Sequence, residues 1–425
     1  MKTDRLHAFL DGKRVLIYGL GREGISTLQF LLPLKSSFAH LAVVDDATRP
    51  SFLAEKTPFF SSIDAVNAAD FDLVFKAPGV KLSRLKHFRP EQITSQLDLY
   101  LECCEGRVIG ITGTKGKSTT SALTYHVLQS HQPTLLVGNI GQPSLNQLVK
   151  TTPETITVYE MSSGQLETAR HSPHLAVWLN LFPEHMDFHG SLEVYCAAKQ
   201  NIVRHQTKNN ICVHHVSLTP FIQTQAKCYT FSDDNPQAHE LSKQLRRQGV
   251  FIHPLTLSCV QKIAAAFGIE KKFEQTCASY RPLNHRMEPI HSVKGVVYLD
   301  DMLATIPEAT IYALGTVQPH TLIAGGHDRG ADYRPLAEAI AATPQLRVAI
   351  LMPDTGHTLA DLLDAIPSHQ IKIFRVQTAD EAVLVAERET PSGATCLISP
   401  AAASFNQFAN YETKAARFRE LIIKS

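Results

Sequence analysis

No apolar run in this 425-residue sequence approaches the roughly 20 residues that cross a bilayer, so a helical membrane span is not expected. The opening Met1-Lys2-Thr3-Asp4-Arg5 leads into mixed polar sequence and lacks the apolar stretch of a signal peptide. The eight cysteines never fall in C-x-x-C spacing, and Cys103 and Cys104 are simply adjacent. That argues against both a structural zinc site and a disulfide framework. Surplus charge is missing too. The 41 Lys and Arg against 40 Asp and Glu leave +1, which gives no reason to expect a nucleic-acid or anionic-membrane partner. Short-period repeats, low-complexity tracts and long linkers are also absent. The expectation is a cytoplasmic globular protein, for which 44% apolar and 19% charged residues are ordinary.

What is there is a series of short Val- and Ile-rich runs separated by helix-length segments. Examples are Val15–Tyr18, Leu41–Val44, Val108–Ile111, Thr155–Tyr159 and Leu175–Trp178, then Gly295–Tyr298, Thr321–Ala324, Val348–Leu351 and Thr395–Ile398. Continuous apolar strands of this kind belong to parallel sheets covered on both faces, so the fold class expected is α/β. Fresh starts at Gly106-Arg107 and near Pro282–Arg286 divide the chain into pieces of about 100, 180 and 140 residues, each of domain size. The division expected is 1–104, a Rossmann-like domain; 105–283, a central P-loop domain with a parallel sheet; and 284–425, a second Rossmann-like α/β domain.

The strongest motif is Gly110-Ile111-Thr112-Gly113-Thr114-Lys115-Gly116-Lys117-Ser118-Thr119, followed by Thr120 and the helix-like Ser121 to Leu128. A strand, a Gly-rich turn and a helix start together make a phosphate site. The glycines let backbone N–H groups turn inward, and the helix presents unpaired N–H groups at its positive end. Lys117 is expected between β- and γ-phosphates and Ser118 on Mg²⁺. The strict Walker spacing needs glycine where Ile111 stands, so this is a variant loop. Gly19-Leu20-Gly21-Arg22-Glu23-Gly24 follows the first strand, and Asp45-Asp46 ends the next. That is a dinucleotide fingerprint in form. Alone, it fits nicotinamide, another nucleotide or plain strand–helix packing equally well. Glu160 and the segment Glu184-His185-Met186-Asp187 each follow a strand end, where open α/β sheets put ligands. An oxygen ligand and an imidazole there can complete a Mg²⁺ site beside Ser118, although either residue taken singly reads as an ordinary loop residue. His185 and His189 find no third ligand spaced for zinc. By pattern alone Lys199 is a solvated helix residue.

Along nearly its whole length the sequence resembles the Mur ligases of peptidoglycan synthesis. The shared segments include Gly19-Leu20-Gly21, Ala77-Pro78-Gly79, the phosphate loop, Gly138-Asn139-Ile140-Gly141, Glu160 to Glu167, Glu184 to Asp187 and Tyr195 to Lys199. They continue through His285-Arg286-Met287-Glu288, Gly325 to Gly330 and Ser399 to Phe408. The resemblance is nearest to the branch that joins D-glutamate to UDP-N-acetylmuramoyl-L-alanine. It implies a monomeric enzyme with UDP-binding, ATPase and amino-acid-binding domains, using ATP and Mg²⁺. Arg22, Glu23, Asp45, Gly79 and Asn139 would contact the nucleotide sugar. Gly113 to Thr120, with Arg286 and Asp301, would contact ATP. Ser118, Glu160, His185 and Lys199 would hold metal, Lys199 as a carbamate. Thr305, Arg329, Ser404, Phe405 and Tyr411 would form the glutamate pocket. Domain closure would bring that pocket to an acyl phosphate and exclude water.

Four positions depart from the family pattern. Leu303 replaces a lysine near the nucleotide phosphates, Ser258 with Gln261 replaces an Asn-containing adenine contact, and Gly164 replaces a phenylalanine. A sister ligase using L-glutamate or a folate-type acceptor, and a nucleotide-sugar-binding relative without turnover, therefore stay open at the level of sequence.

Overall fold

The computed structural model describes residues 2–293, 295–367 and 370–424. The chain divides into two compact units. The first extends to Asp233 and regains Ser258–Phe273, and the second takes Asp234–Leu257 and the chain from Glu274.

The first unit contains two sheets. One is ordered Phe59–Phe60, His40–Val44, Arg14–Tyr18, Leu73–Lys76, Ile93–Thr94, and every pairing is parallel. Val15, Leu16, Ile17, Ala42, Val43 and Val44 are fully buried, as expected for strands with helices on both faces. The other sheet is ordered Lys227–Phe231, Ile211–His215, Leu175–Trp178, Arg107–Thr112, Ile156–Glu160, Thr134–Gly138, again all parallel. Arg107–Thr112 lies centrally, between Leu175–Trp178 and Ile156–Glu160. The loops that leave the carboxyl ends of these three strands therefore converge, and they carry the residues of interest.

The second unit contains a six-stranded sheet ordered Glu288–Val293, Val296–Asp300, Thr395–Ile398, Thr321–Ala324, Val348–Leu351, Lys372–Arg375. It is parallel except at one edge, where Glu288–Val293 runs antiparallel to Val296–Asp300. That hairpin departs from the parallel pattern expected from the apolar runs. Among the described residues no helix is long and apolar enough to cross a membrane.

Candidate active site

The phosphate loop is built by its neighbours as much as by its glycines. Gly116 has φ +80° and caps the helix Lys117–Gln129, a conformation that a side chain would strain. Asn180, just past the strand Leu175–Trp178, accepts from the Thr114 and Lys115 amides at 2.9 and 2.8 Å and donates to the Lys115 carbonyl at 3.1 Å. The Thr114 hydroxyl accepts from the Phe182 amide at 3.0 Å and the Tyr195 hydroxyl at 3.2 Å. Asn180 needed no rare motif to be noticed. An amide that closes a strand opposite a Gly-rich loop is its only signal.

Within this frame the lysines differ. Lys117 donates to the Gly113 and Thr114 carbonyls, both at 2.9 Å, so its ammonium lies inside the loop. Lys115 is held at 2.6 Å by Glu184, so its charge is spent on the neighbouring loop. Lys199 sits on the helix Leu192–Arg204 and is 1% exposed, which overturns its reading as a solvated helix residue. Its amine donates to the Gly113 carbonyl at 2.9 Å and lies 4.5 Å from the Tyr195 ring centre. Burial, aided by Lys117, holds its ammonium well below the ordinary lysine range, which favours a neutral, nucleophilic amine. His185 is depressed too, by burial first and then by Lys117, Lys199 and Lys115 against Glu184. A neutral imidazole is the metal-ligating form.

Glu160 ends the strand beside the loop and is fully buried. Its Oε1 accepts from Asn139 Nδ2 at 2.9 Å, while Oε2 has no hydrogen-bond partner. An orphaned buried carboxylate oxygen suits a cation ligand, so Glu160, with the Ser118 hydroxyl at the neighbouring helix start, fits Mg²⁺. Ser118 and Thr119 are partly exposed at the helix start, whereas Thr120 is buried, its side chain turned to the core.

Asn139 also lines a cleft of ≈ 360 Å³ with Gly19, Arg22, Glu23, Pro78 and Gly79. Asp45 is not in that lining. Its carboxylate accepts from the Leu20 amide at 2.5 Å and the Ala47 amide at 2.9 Å, so it fastens the Gly-rich turn. Arg22 donates to the carbonyls of Asn139 and Gly141 across the cleft. Lys76, whose side chain is fully buried, pairs with Glu167 at 2.7 Å and donates to the Val80 carbonyl at 2.8 Å, fixing the Pro78-Gly79 wall. A lysine ending a short apolar strand gave no sequence hint of this role.

Burial pushes the Glu23 carboxyl up to about 7, against the pull of Gln165, Lys76 and Arg22. The cleft therefore gains negative charge as pH rises through 7. An anionic ligand bound in this cleft should lose about fivefold more affinity between pH 6 and pH 8 in the wild type than in Glu23→Gln, read by calorimetry. Equal slopes would remove Glu23 from the cleft's electrostatics.

Gly164, the departure from the family's phenylalanine, has a steric reason. A Cβ there would stand 2.6 Å from the Pro78 carbonyl oxygen. The short helix Ser163–Leu166 approaches the cleft wall too closely for any side chain. Gly164→Ala should destabilise the protein by about 1–3 kcal/mol, read by denaturant melts. An unchanged midpoint would show that the wall gives way freely.

In the second unit, Arg329 lies over the exposed Phe405 ring at 5.3 Å. Ser404 is 4% exposed and its hydroxyl has no partner. Asp301 is fully buried beside Arg286, and burial raises its carboxyl to about 7 while Ser399 donates to it at 2.8 Å. Tyr411 packs edge-on to His285 at 5.7 Å, and burial raises its hydroxyl. Thr305 is partly buried, its amide donating to the Leu303 carbonyl at 3.0 Å, and Leu303 carries no charge. His285, Glu288 and Asp300 bring three metal-ligating groups together, but Arg419 stands 3.2 Å from Glu288 and 3.6 Å from Asp300 and supplies the cation. Lys414, 3% exposed, donates to the Gly325 carbonyl at 2.8 Å, and burial lowers its ammonium to about 8.

Residues 111–260 match the Mur ligase middle domain. The chain is 29% identical to the UDP-N-acetylmuramoylalanine–D-glutamate ligase of Clostridium botulinum (strain 657 / Type Ba4) over 97% of each sequence. It is 28% identical to the enzyme of that name from Clostridium acetobutylicum, again over 97% of each. Among solved structures, the MurF ligase from Thermotoga maritima in complex with ADP superposes with a TM-score of 0.58 over 99% of both chains at 15% identity. The E. coli FolC in complex with DHPP and ADP gives a TM-score of 0.53 at 13% identity, covering 82% of this chain and 99% of that one. At these identities the structural likenesses speak for the fold alone.

Proposed function

We propose that this chain, a Mur ligase and so an ATP-dependent, ADP-forming ligase of acid and amino acid, joins D-glutamate to UDP-N-acetylmuramoyl-L-alanine. The observation that carries this reading is the join at Asn139. One residue lines the nucleotide-sized cleft and also donates to Glu160 beside the phosphate loop. A substrate whose diphosphate lies along the Gly19 turn and Arg22 would extend its far end toward the γ-phosphate. The likeness to the clostridial D-glutamate ligases along 97% of the chain supports the choice of acceptor and amino acid.

Residues 1–104 would hold the nucleotide sugar, 105–283 ATP, and 284–425 the amino acid. In the first step a carboxylate oxygen of the alanyl group attacks the γ-phosphorus of ATP. An O–P bond forms, ADP leaves, and an acyl phosphate results. In the second step the amine of glutamate attacks the acyl carbon, a C–N bond forms, and phosphate departs with the amine's proton passing to solvent. Lys117 and the loop amides would neutralise charge on the transferring phosphoryl group, where most phosphoryl-transfer catalysis resides. Mg²⁺ held by Ser118, Glu160, His185 and carbamylated Lys199 would supply further charge neutralisation at the phosphate oxygens. Arg329 offers a fork for a side-chain carboxylate and the Ser404 hydroxyl an unspent hydrogen bond, both suited to a dicarboxylic amino acid.

The test is phosphate release from ATP, Mg²⁺ and UDP-N-acetylmuramoyl-L-alanine with D-glutamate, L-glutamate or neither. Release with D-glutamate alone supports the reading. Release with L-glutamate, or with a folate-type acceptor in place of the nucleotide sugar, replaces it with a sister ligase.

A further inference from the structure

A second cleft, of ≈ 410 Å³, opens in the first unit on the far side of the Lys199 helix. Its floor is apolar: Leu85, Phe88, Ile93 and Ala169 are each 6% exposed or less. Its rim is cationic. Lys86 and Arg204 are exposed and make no ion pair among the described residues, and Arg170 joins them. Arg170 donates to the Pro90 and Ile93 carbonyls at 2.6 Å each, which holds the wall in place. The one acid lining the cleft, Glu167, is neutralised by Lys76. Two groups in the wall have unused hydrogen-bonding capacity. Asn201, 7% exposed, spends its Nδ2 on the Leu166 carbonyl at 2.8 Å, which leaves Oδ1 without a partner, and the Thr168 hydroxyl has none either. An apolar cavity of this size with a few convergent polar groups and one sign of charge at its mouth matches a small-molecule site.

We infer that this cleft binds a small amphipathic anion, an aromatic or branched carboxylate or phosphate ester, as an effector of the phosphate loop. The apolar body would lie on Phe88 and Ala169, and the anionic group would meet Arg204 and Lys86. The link to the loop is a single helix. Asn201 and Arg204 lie within two turns of Lys199, whose amine holds the Gly113 carbonyl. Glu167, in the cleft wall, also lies 4.0 Å from His189.

Phenyl phosphate is the probe, titrated into the full chain with ADP and UDP saturating so that neither nucleotide site is open to it. Calorimetry should give saturable binding at least about tenfold tighter than inorganic phosphate, and Arg204→Glu and Lys86→Glu should each weaken it about tenfold. Both variants lie on the surface and leave the core intact. ADP affinity should shift about fivefold when the probe is bound, as expected for sites coupled through one element. No saturable binding, or binding indifferent to both charge reversals, overturns the site. Binding that leaves ADP affinity unchanged overturns the effector role.

Discussion

Lys117→Ala should lower the rate of phosphate release on the order of 10³-fold, leaving UDP affinity unchanged. The argument starts from position. Lys117 opens the helix Lys117–Gln129, and its ammonium lies within the loop against the Gly113 and Thr114 carbonyls. Among the described residues its neighbours are poor substitutes: Lys115 is bound to Glu184 at 2.6 Å, burial disfavours charge on Lys199, and Leu303, where the family pattern has a lysine, carries no charge. A chain that lacks one cation of the pattern depends more heavily on the one it keeps. Lys117→Arg should rescue little, because a planar guanidinium does not reproduce the compact point charge that an ammonium places against those carbonyls. The measurement is steady-state phosphate release alongside UDP calorimetry, since the cleft at Gly19 is built without Lys117. A loss below tenfold would mean that the backbone amides alone carry the phosphoryl group.

Much of this arrangement is legible in the residues, and the gaps have physical causes. The strands Leu175–Trp178, Thr321–Ala324, Val348–Leu351 and Thr395–Ile398 coincide with their apolar runs because each is packed on both faces. Lys227–Phe231 and Lys372–Arg375 have no such run, because they are edge strands with exposed positions. The phosphate loop declares itself because glycine, lysine and serine have to be in fixed order. Asp45 also braces the turn, a role that only the direction of its hydrogen bonds reveals. Gly164 looked like a loss and is a close approach. Lys199 was the least legible of all. A helix pattern fixes which face a residue shares, not what the next element lays over that face. Here Tyr195 and the Gly113 carbonyl close over the amine.

That burial leads to the second large effect. Lys199→Ala should cost on the order of 10²–10³ in the rate of phosphate release, with partial rescue by formate or acetate. In the folded chain the amine's affinity for protons is far below that of an ordinary lysine, near 10.5, chiefly because burial strips the ammonium of water. The unfolded chain binds the proton and the folded chain releases it, so burying this lysine destabilises the fold below pH 10.5, and stability rises as pH climbs toward that value. Lys199→Met, which keeps the bulk and drops the titrating group, should therefore melt higher than the wild type at pH 7 while losing activity. A residue that destabilises its own fold and yet sits against the phosphate loop is best explained by chemistry. A neutral amine adds CO₂ through a new N–C bond and loses a proton, and the proposed carbamate would be an anionic oxygen ligand to join Glu160 and His185. Activity should accordingly fall in CO₂-depleted buffer and return with bicarbonate in the wild type, and should not respond in Lys199→Ala. Full activity in the alanine variant would leave Lys199 as nothing more than a buried prop for the loop.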